Sequence, residues 1–95
     1  MIKFSILVLL VTCISSLSPD GKCRILALRG GGVHGAYEVG ALQAFVQELD
    51  PLDIHYDHLS GVSVGALNAA FIAMHPPGNE KEAVEELIAI YKENL

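Results

Sequence analysis

The chain has 95 residues, enough for one domain at most, and a formal net charge of −5. Nucleic-acid binding rewards clustered Lys and Arg, so six basic residues against eleven acidic ones exclude it, and they also exclude a broad basic face for anionic lipid. Any membrane contact has to be local and apolar; the two cysteines, Cys13 and Cys23, form neither a disulfide framework nor a zinc spacing, and no metal or cofactor is expected.

Lys3 precedes an apolar run from Phe4 to Ile14, broken only by Ser5, Thr12 and Cys13 and followed by Ser15, Ser16 and Ser18. A basic start, a short apolar middle and small residues at the end are the three parts of a secretory signal peptide. The run is too short to span a bilayer, which takes about 20 apolar residues. Residues 1–18 are therefore read as a leader cleaved after Ser15 or after Ser18, and the product as secreted or in the secretory pathway. A buried N-terminal strand or helix is the alternative. Removal of the leader takes Cys13 with it, leaving Cys23 as a free thiol or in need of a partner on another chain.

Ser18-Pro19-Asp20-Gly21-Lys22 is turn chemistry. Cys23–Leu28 follows as a nearly all-apolar strand, the pattern of a parallel strand covered on both faces. From Gly35 the period changes, with Val39, Leu42, Val46 and Leu49 at helical spacing, and Asp50-Pro51 ends that helix because proline can neither donate the next hydrogen bond nor fit inside the turn. Ile54–Leu59 reads as a second short strand. Val64–Met74 reads as a helix apolar on every side, and hence buried; His75-Pro76-Pro77-Gly78 breaks it. Asn79 stands three positions before Glu82 in a capping-box arrangement, and Val84, Leu87, Ile88 and Tyr91 form the apolar stripe of a last, surface helix. The order strand, helix, strand, helix, helix opens an α/β fold. Two short strands cannot bury these helices on both faces, so residues 23–95 are expected to be the first part of a larger domain, ending on an amphipathic helix with nothing beneath it.

Two loops carry the chemistry, and each follows a strand and opens a helix, which puts both at one edge of a parallel sheet. The first, Gly30-Gly31-Gly32-Val33-His34-Gly35, can present bare backbone N–H groups to an anion, with the N-terminus of a helix behind them. It also spells Gly30-x-Gly32-x-x-Gly35, a dinucleotide fingerprint, with Asp53 and Asp57 roughly where a ribose-binding acid belongs, about 20 residues on. The second, Gly61-Val62-Ser63-Val64-Gly65, has the form of a nucleophile elbow, in which flanking glycines let one serine occupy a strained turn with its hydroxyl exposed. The bland reading makes Ser63 a helix cap, but Gly61 is then superfluous. A nucleotide fold has no use for Gly-x-Ser-x-Gly on its next strand; N–H donors opposite a serine make an acyl-transfer site, because the attacked carbonyl becomes an oxyanion. A serine needs a base, and spacing assigns that role to none of His34, His55, His58 and His75.

The run 30–42 and the run Asp57–Ala70 together resemble the patatin-like phospholipases, or patatin-like lipid acyl hydrolases, over roughly Cys23 to Met74. The resemblance implies the N-terminal β-α-β-α portion of a parallel-sheet sandwich, incomplete here. It implies a lipid or phospholipid ester as substrate, cleaved without a metal, with Ser63 as nucleophile and the oxyanion hole at Gly31 and Gly32, supported by Gly30. Gly35, Gly61 and Gly65 are the structural glycines of the two motifs. His34 stands where the family usually has Lys or Arg. The family's second catalytic residue is an aspartate in Asp-Gly-Gly or Asp-Gly-Ala, well downstream of the elbow. The only Asp-Gly here is Asp20-Gly21, upstream of the first strand, so the chain is expected to be truncated before that aspartate and to have little or no activity by itself. Asp57, just before the elbow, is read as structural. The alternatives are a Rossmann-like nucleotide-binding module and a noncatalytic lipid-binding remnant.

Overall fold

The computed structural model describes residues 18–94; the leader, apart from Ser18, lies outside the described residues. The elements are β1 (Ile25–Leu28), α1 (Gly35–Glu48), β2 (His58–Gly61), α2 (Val64–Ala73) and α3 (Glu80–Asn94). β1 and β2 pair in parallel, with Ile25 opposite His58 and Leu28 opposite Gly61. This is the expected α/β architecture, and the strand-then-loop-then-helix order places residues 29–34 and 62–63 at the same, C-terminal edge of the sheet.

Helix α1 ends at Glu48, just ahead of Asp50-Pro51. The Asp50 carboxylate then accepts from the Leu52 N–H at 3.0 Å and opens a short 3-10 turn over Pro51–Ile54. That turn corrects the second strand: Ile54 is buried in the turn rather than in the sheet, and β2 begins at His58 and runs through Gly61. An aspartate cap followed by proline at the first turn position is itself a helix start, which outweighed the local apolar content.

Val39, Leu42 and Val46 on α1 and Val84, Leu87 and Ile88 on α3 are buried in one core cluster with Leu28, Ala69 and Ile72. Each such side chain contributes about 1.5–3 kcal/mol on burial. α1 and α3 make the most extensive helix pairing, so the last helix has a partner beneath its stripe, contrary to expectation. Its stripe is as predicted, with Tyr91 half-buried. Asn79 meets Glu82 at its start, through a side-chain bond of 3.2 Å.

Two other burial expectations fail in the opposite direction. α2 buries only Gly65, Asn68, Ala69 and Ile72, while Leu67 and Met74 are 71% and 77% exposed. In β1, Leu28 is buried but Ile25 and Ala27 are exposed. One face of each element is packed by the described residues; the apolar residues of the opposite face have no described element over them. Cys23 is disulfide-bonded, which removes the free-thiol branch of the expectation.

Candidate functional site

The C-terminal edge of the sheet brings the two predicted loops together. A Cβ placed on Gly30 would lie 3.4 Å from the Ser63 Cβ and 3.1 Å from the Val62 carbonyl oxygen. The glycine turn and the elbow thus lie close enough that a side chain at 30 would be in contact with Ser63. Gly32 has φ +57°, which only glycine adopts freely. It begins a 3-10 turn, Gly32–His34, that runs directly into α1.

Ser63 has φ 55° and ψ −121°, the only positive φ outside glycine among the described residues. Such a backbone costs about 1–3 kcal/mol and persists only where the surroundings enforce it. The surroundings do so here through the two flanking glycines. A Cβ on Gly61 would collide with the Gly65 carbonyl, and one on Gly65 would collide with the Leu28 carbonyl and lie 2.6 Å from that of Arg29. α2 therefore starts flush against the ends of both strands. Its hydrogen bonds begin at the elbow, with Ala66 N–H donating to the Ser63 carbonyl at 2.9 Å. The Ser63 side chain makes no cap bond to α2, so the helix-cap reading of this residue fails. The residue is exposed, and its hydroxyl has no hydrogen-bond partner among the described residues.

Gly35 supports the same edge from beneath. It is buried at the start of α1, where a Cβ would strike Val64 and lie 2.9 Å from the Tyr91 hydroxyl. Asn68, 1% exposed, donates to the Gly35 carbonyl at 3.3 Å and to Glu38 at 3.4 Å. It accepts from the Tyr91 hydroxyl at 2.8 Å. One buried amide thus ties the elbow helix, the glycine-loop helix and α3 together. Sequence reasoning takes α2 as apolar on every side; Asn68, its single polar side chain, is the available signal, because a buried amide has to find partners.

The four histidines divide. His34 reaches back from its ring Nδ1 to the Gly31 carbonyl at 3.0 Å and braces the glycine turn. The other three belong to the opposite, N-terminal end of the sheet and the far end of α2. His58 opens β2 with a buried Nε2 that has no partner among the described residues. His55 lies 3.8 Å from the buried Glu80 carboxylate. His75 pairs with Glu86 at 2.9 Å, and that bond, with a second to the Phe71 carbonyl, pushes its pKa up. None of them stands beside Ser63.

The acids that might have served a ribose or a serine lie at that same far end. Asp57 accepts from the Arg24 N–H at 2.9 Å while its own N–H donates to the Arg24 carbonyl at 2.8 Å. It pins the start of β1 to β2, the structural role read from sequence. The Arg24 guanidinium binds Asp20 at 2.6 Å and Asp53 at 3.1 Å. Arg24 and the Ser18 hydroxyl hold the Asp20 carboxyl far below the usual carboxylate range, which disqualifies it as a base near neutral pH. Asp53 and Asp57 face Arg24, ahead of β1, whereas the glycine loop follows β1, so neither of the two is placed for a ribose beside that loop. Among the described residues no group of three or more His, Cys, Asp or Glu side chains is arranged to hold a metal ion.

Comparison with known proteins gives the same direction. Residues 26–95 match the family model described as patatin-like phospholipase. Over 77 residues the chain is 40% identical to the cUMP-AMP-activated phospholipase of Escherichia coli, a match covering 80% of this chain and 22% of that protein. The chain thus spans about a fifth of the length of the curated relative it matches. No solved structure matches it.

Proposed function

Because the chain belongs to the patatin-like phospholipase family, we propose that it supplies the nucleophile and oxyanion half of a serine-dependent lipid acyl hydrolase. Ser63 attacks the ester carbonyl of a phospholipid or acylglycerol. The carbonyl oxygen gains negative charge as the Oγ–C bond forms, and backbone N–H groups of Gly31 and Gly32, with Gly30 as the supporting turn residue, receive it. Such donors, fixed before the reaction begins, contribute several kcal/mol to lowering the barrier. Collapse of the tetrahedral species expels the alcohol and leaves an acyl-serine, which water then hydrolyses.

The observation that carries this reading is the close approach of Gly30 to a Ser63 held at positive φ. Neither feature serves packing: the strained residue is exposed, and the glycine beside it lies in a loop. The proton on Oγ requires an acceptor, and no His or Asp of the described residues hydrogen-bonds the Ser63 hydroxyl. The base is therefore assigned to an aspartate outside these 95 residues, and the chain alone is expected to turn over esters slowly or not at all. Secretion by way of residues 1–18 remains part of this proposal, on the charge and hydropathy pattern of the leader.

A fluorophosphonate probe tests the nucleophile without requiring turnover. Slow, stoichiometric labelling mapped to Ser63 and absent from Ser63→Ala is expected. Labelling elsewhere, or labelling unchanged in Ser63→Ala, would remove the serine mechanism. Equal lipid binding by the two proteins with no labelling of either would favour the noncatalytic remnant.

A further inference from the structure

Beside the glycine turn lies an open cavity of about 450 Å³, lined by Arg29, Gly30, Gly31, His34, Tyr37 and Glu38. Gly30 and Gly31 form the wall it shares with the proposed oxyanion site. Its charges are unusual for this chain. Between Arg24 and Lys81 the sequence contains one Lys or Arg, and it is Arg29. Arg24 is consumed by Asp20 and Asp53, whereas Arg29 is exposed and forms no ion pair among the described residues. An acidic protein thus places its single mid-chain cation at the lip of the loop that is to receive an ester. The same cavity is lined by Glu38, whose carboxylate accepts from Asn68 at 3.4 Å, and by Tyr37, which is 81% exposed.

We propose that this cavity receives the head group of a zwitterionic phospholipid, phosphocholine or phosphoethanolamine, and so makes a phospholipid rather than a neutral acylglycerol the preferred substrate; the proposal rests on the hydrolase reading above. In a phospholipid the phosphate is a few bonds from the nearer acyl ester, so an ester at Ser63 and the glycine turn puts the phosphate at the adjoining cavity. The Arg29 guanidinium, whose planar fork suits phosphate oxygens, takes the anionic part. Glu38 and the face of Tyr37 take the ammonium, by charge and by cation–π attraction. A diacylglycerol offers neither charge, and a phosphatidic acid offers the phosphate with no ammonium for Glu38.

The test is binding, measured by calorimetry on the full chain carrying Ser63→Ala, with monomeric dihexanoyl phosphatidylcholine, dihexanoyl phosphatidic acid, dihexanoylglycerol and inorganic phosphate as probes. Phosphatidylcholine is expected to bind most tightly. Arg29→Gln should weaken it by about tenfold and leave dihexanoylglycerol within twofold. Glu38→Gln, which retains an oxygen to accept from Asn68, should weaken phosphatidylcholine and not phosphatidic acid. Equal binding of phosphatidylcholine and dihexanoylglycerol, or indifference of phosphatidylcholine to Arg29→Gln in a protein with an unchanged circular-dichroism spectrum, overturns the proposal. So does inorganic phosphate binding as tightly as the lipid, which makes the cavity an anion site only. Fluorophosphonate labelling of the Ser63 protein, run in parallel, separates the two readings: labelling without Arg29-dependent binding leaves the hydrolase and removes the head-group site, and the reverse result removes the serine mechanism alone.

Discussion

The two ends of the short sheet are built on opposite principles. At the N-terminal end the buried Nε2 of His58 is an exception, but Arg24, Asp20, Asp53 and Asp57 satisfy one another through charge-assisted bonds of 2.6–3.1 Å, and His75 pairs with Glu86. At the C-terminal end, Ser63 sits at positive φ with a hydroxyl that bonds to nothing described, beside a glycine loop and an uncompensated Arg29. Satisfied polar groups hold a fold together, whereas unsatisfied and strained ones are tolerated where a ligand will complete them. The contrast separates residues that maintain the structure from those to which the proposed function assigns chemistry, and it can be broken or sharpened by mutating each end.

The largest effect is expected at Gly65, where the two principles meet. Gly65→Ala puts a methyl group against the Leu28 and Arg29 carbonyls, and backbone at the end of a strand cannot yield as a side chain does. A loss of about 2–3 kcal/mol in urea unfolding is expected, together with loss of fluorophosphonate labelling. A variant as stable as the parent would mean that α2 does not start flush against β1.

Asp57→Ala addresses the other end. It removes the carboxylate that accepts from the Arg24 N–H and leaves that donor to find water or go unpaired, a cost of about 1–2 kcal/mol. Below its unfolding midpoint the variant should still label at Ser63 at the parental rate, since the defect lies a full strand away. A selective fall in labelling with stability intact would show that the two ends are not independent.

The sequence announced the C-terminal end far better than the N-terminal one. Gly61 and Gly65 flank Ser63 at one fixed spacing, Gly30, Gly32 and Gly35 recur at another, and strand-loop-helix periodicity was enough to put both loops on one edge. Bonds such as Arg24 to Asp53 or Asn68 to Tyr91 join residues that are distant along the chain, and no local pattern encodes them. The same limit explains β2. His58–Gly61 contains one strongly apolar residue, whereas Ile54, which looked like strand, is buried by the Asp50-capped turn. Burial itself was misjudged on α2 because composition marks a helix as apolar without saying whether both of its faces have neighbours.

The smallest effect expected at the N-terminal end is a dependence on pH. The Glu86 carboxylate and the Phe71 carbonyl both favour the protonated His75 ring, so its pKa in the folded chain lies above the ordinary 6.5. A raised folded-state pKa means that the folded state holds the proton more tightly than the unfolded chain does. The contribution to stability is then fully present below about pH 6.5 and is lost as pH rises through the folded-state value. His75 spans α2 and α3, since Glu86 belongs to α3, so what weakens on deprotonation is the clasp between those helices. The urea midpoint should decline from pH 6 toward pH 8 more steeply in the parent than in His75→Gln, whose side chain keeps a donor for Glu86 but carries no titrating proton. Parallel pH profiles for the two proteins would show that the 2.9 Å pair is exchanged for water at no cost. The N-terminal end would then owe its order to Arg24 and Asp57 without help from the helix clasp.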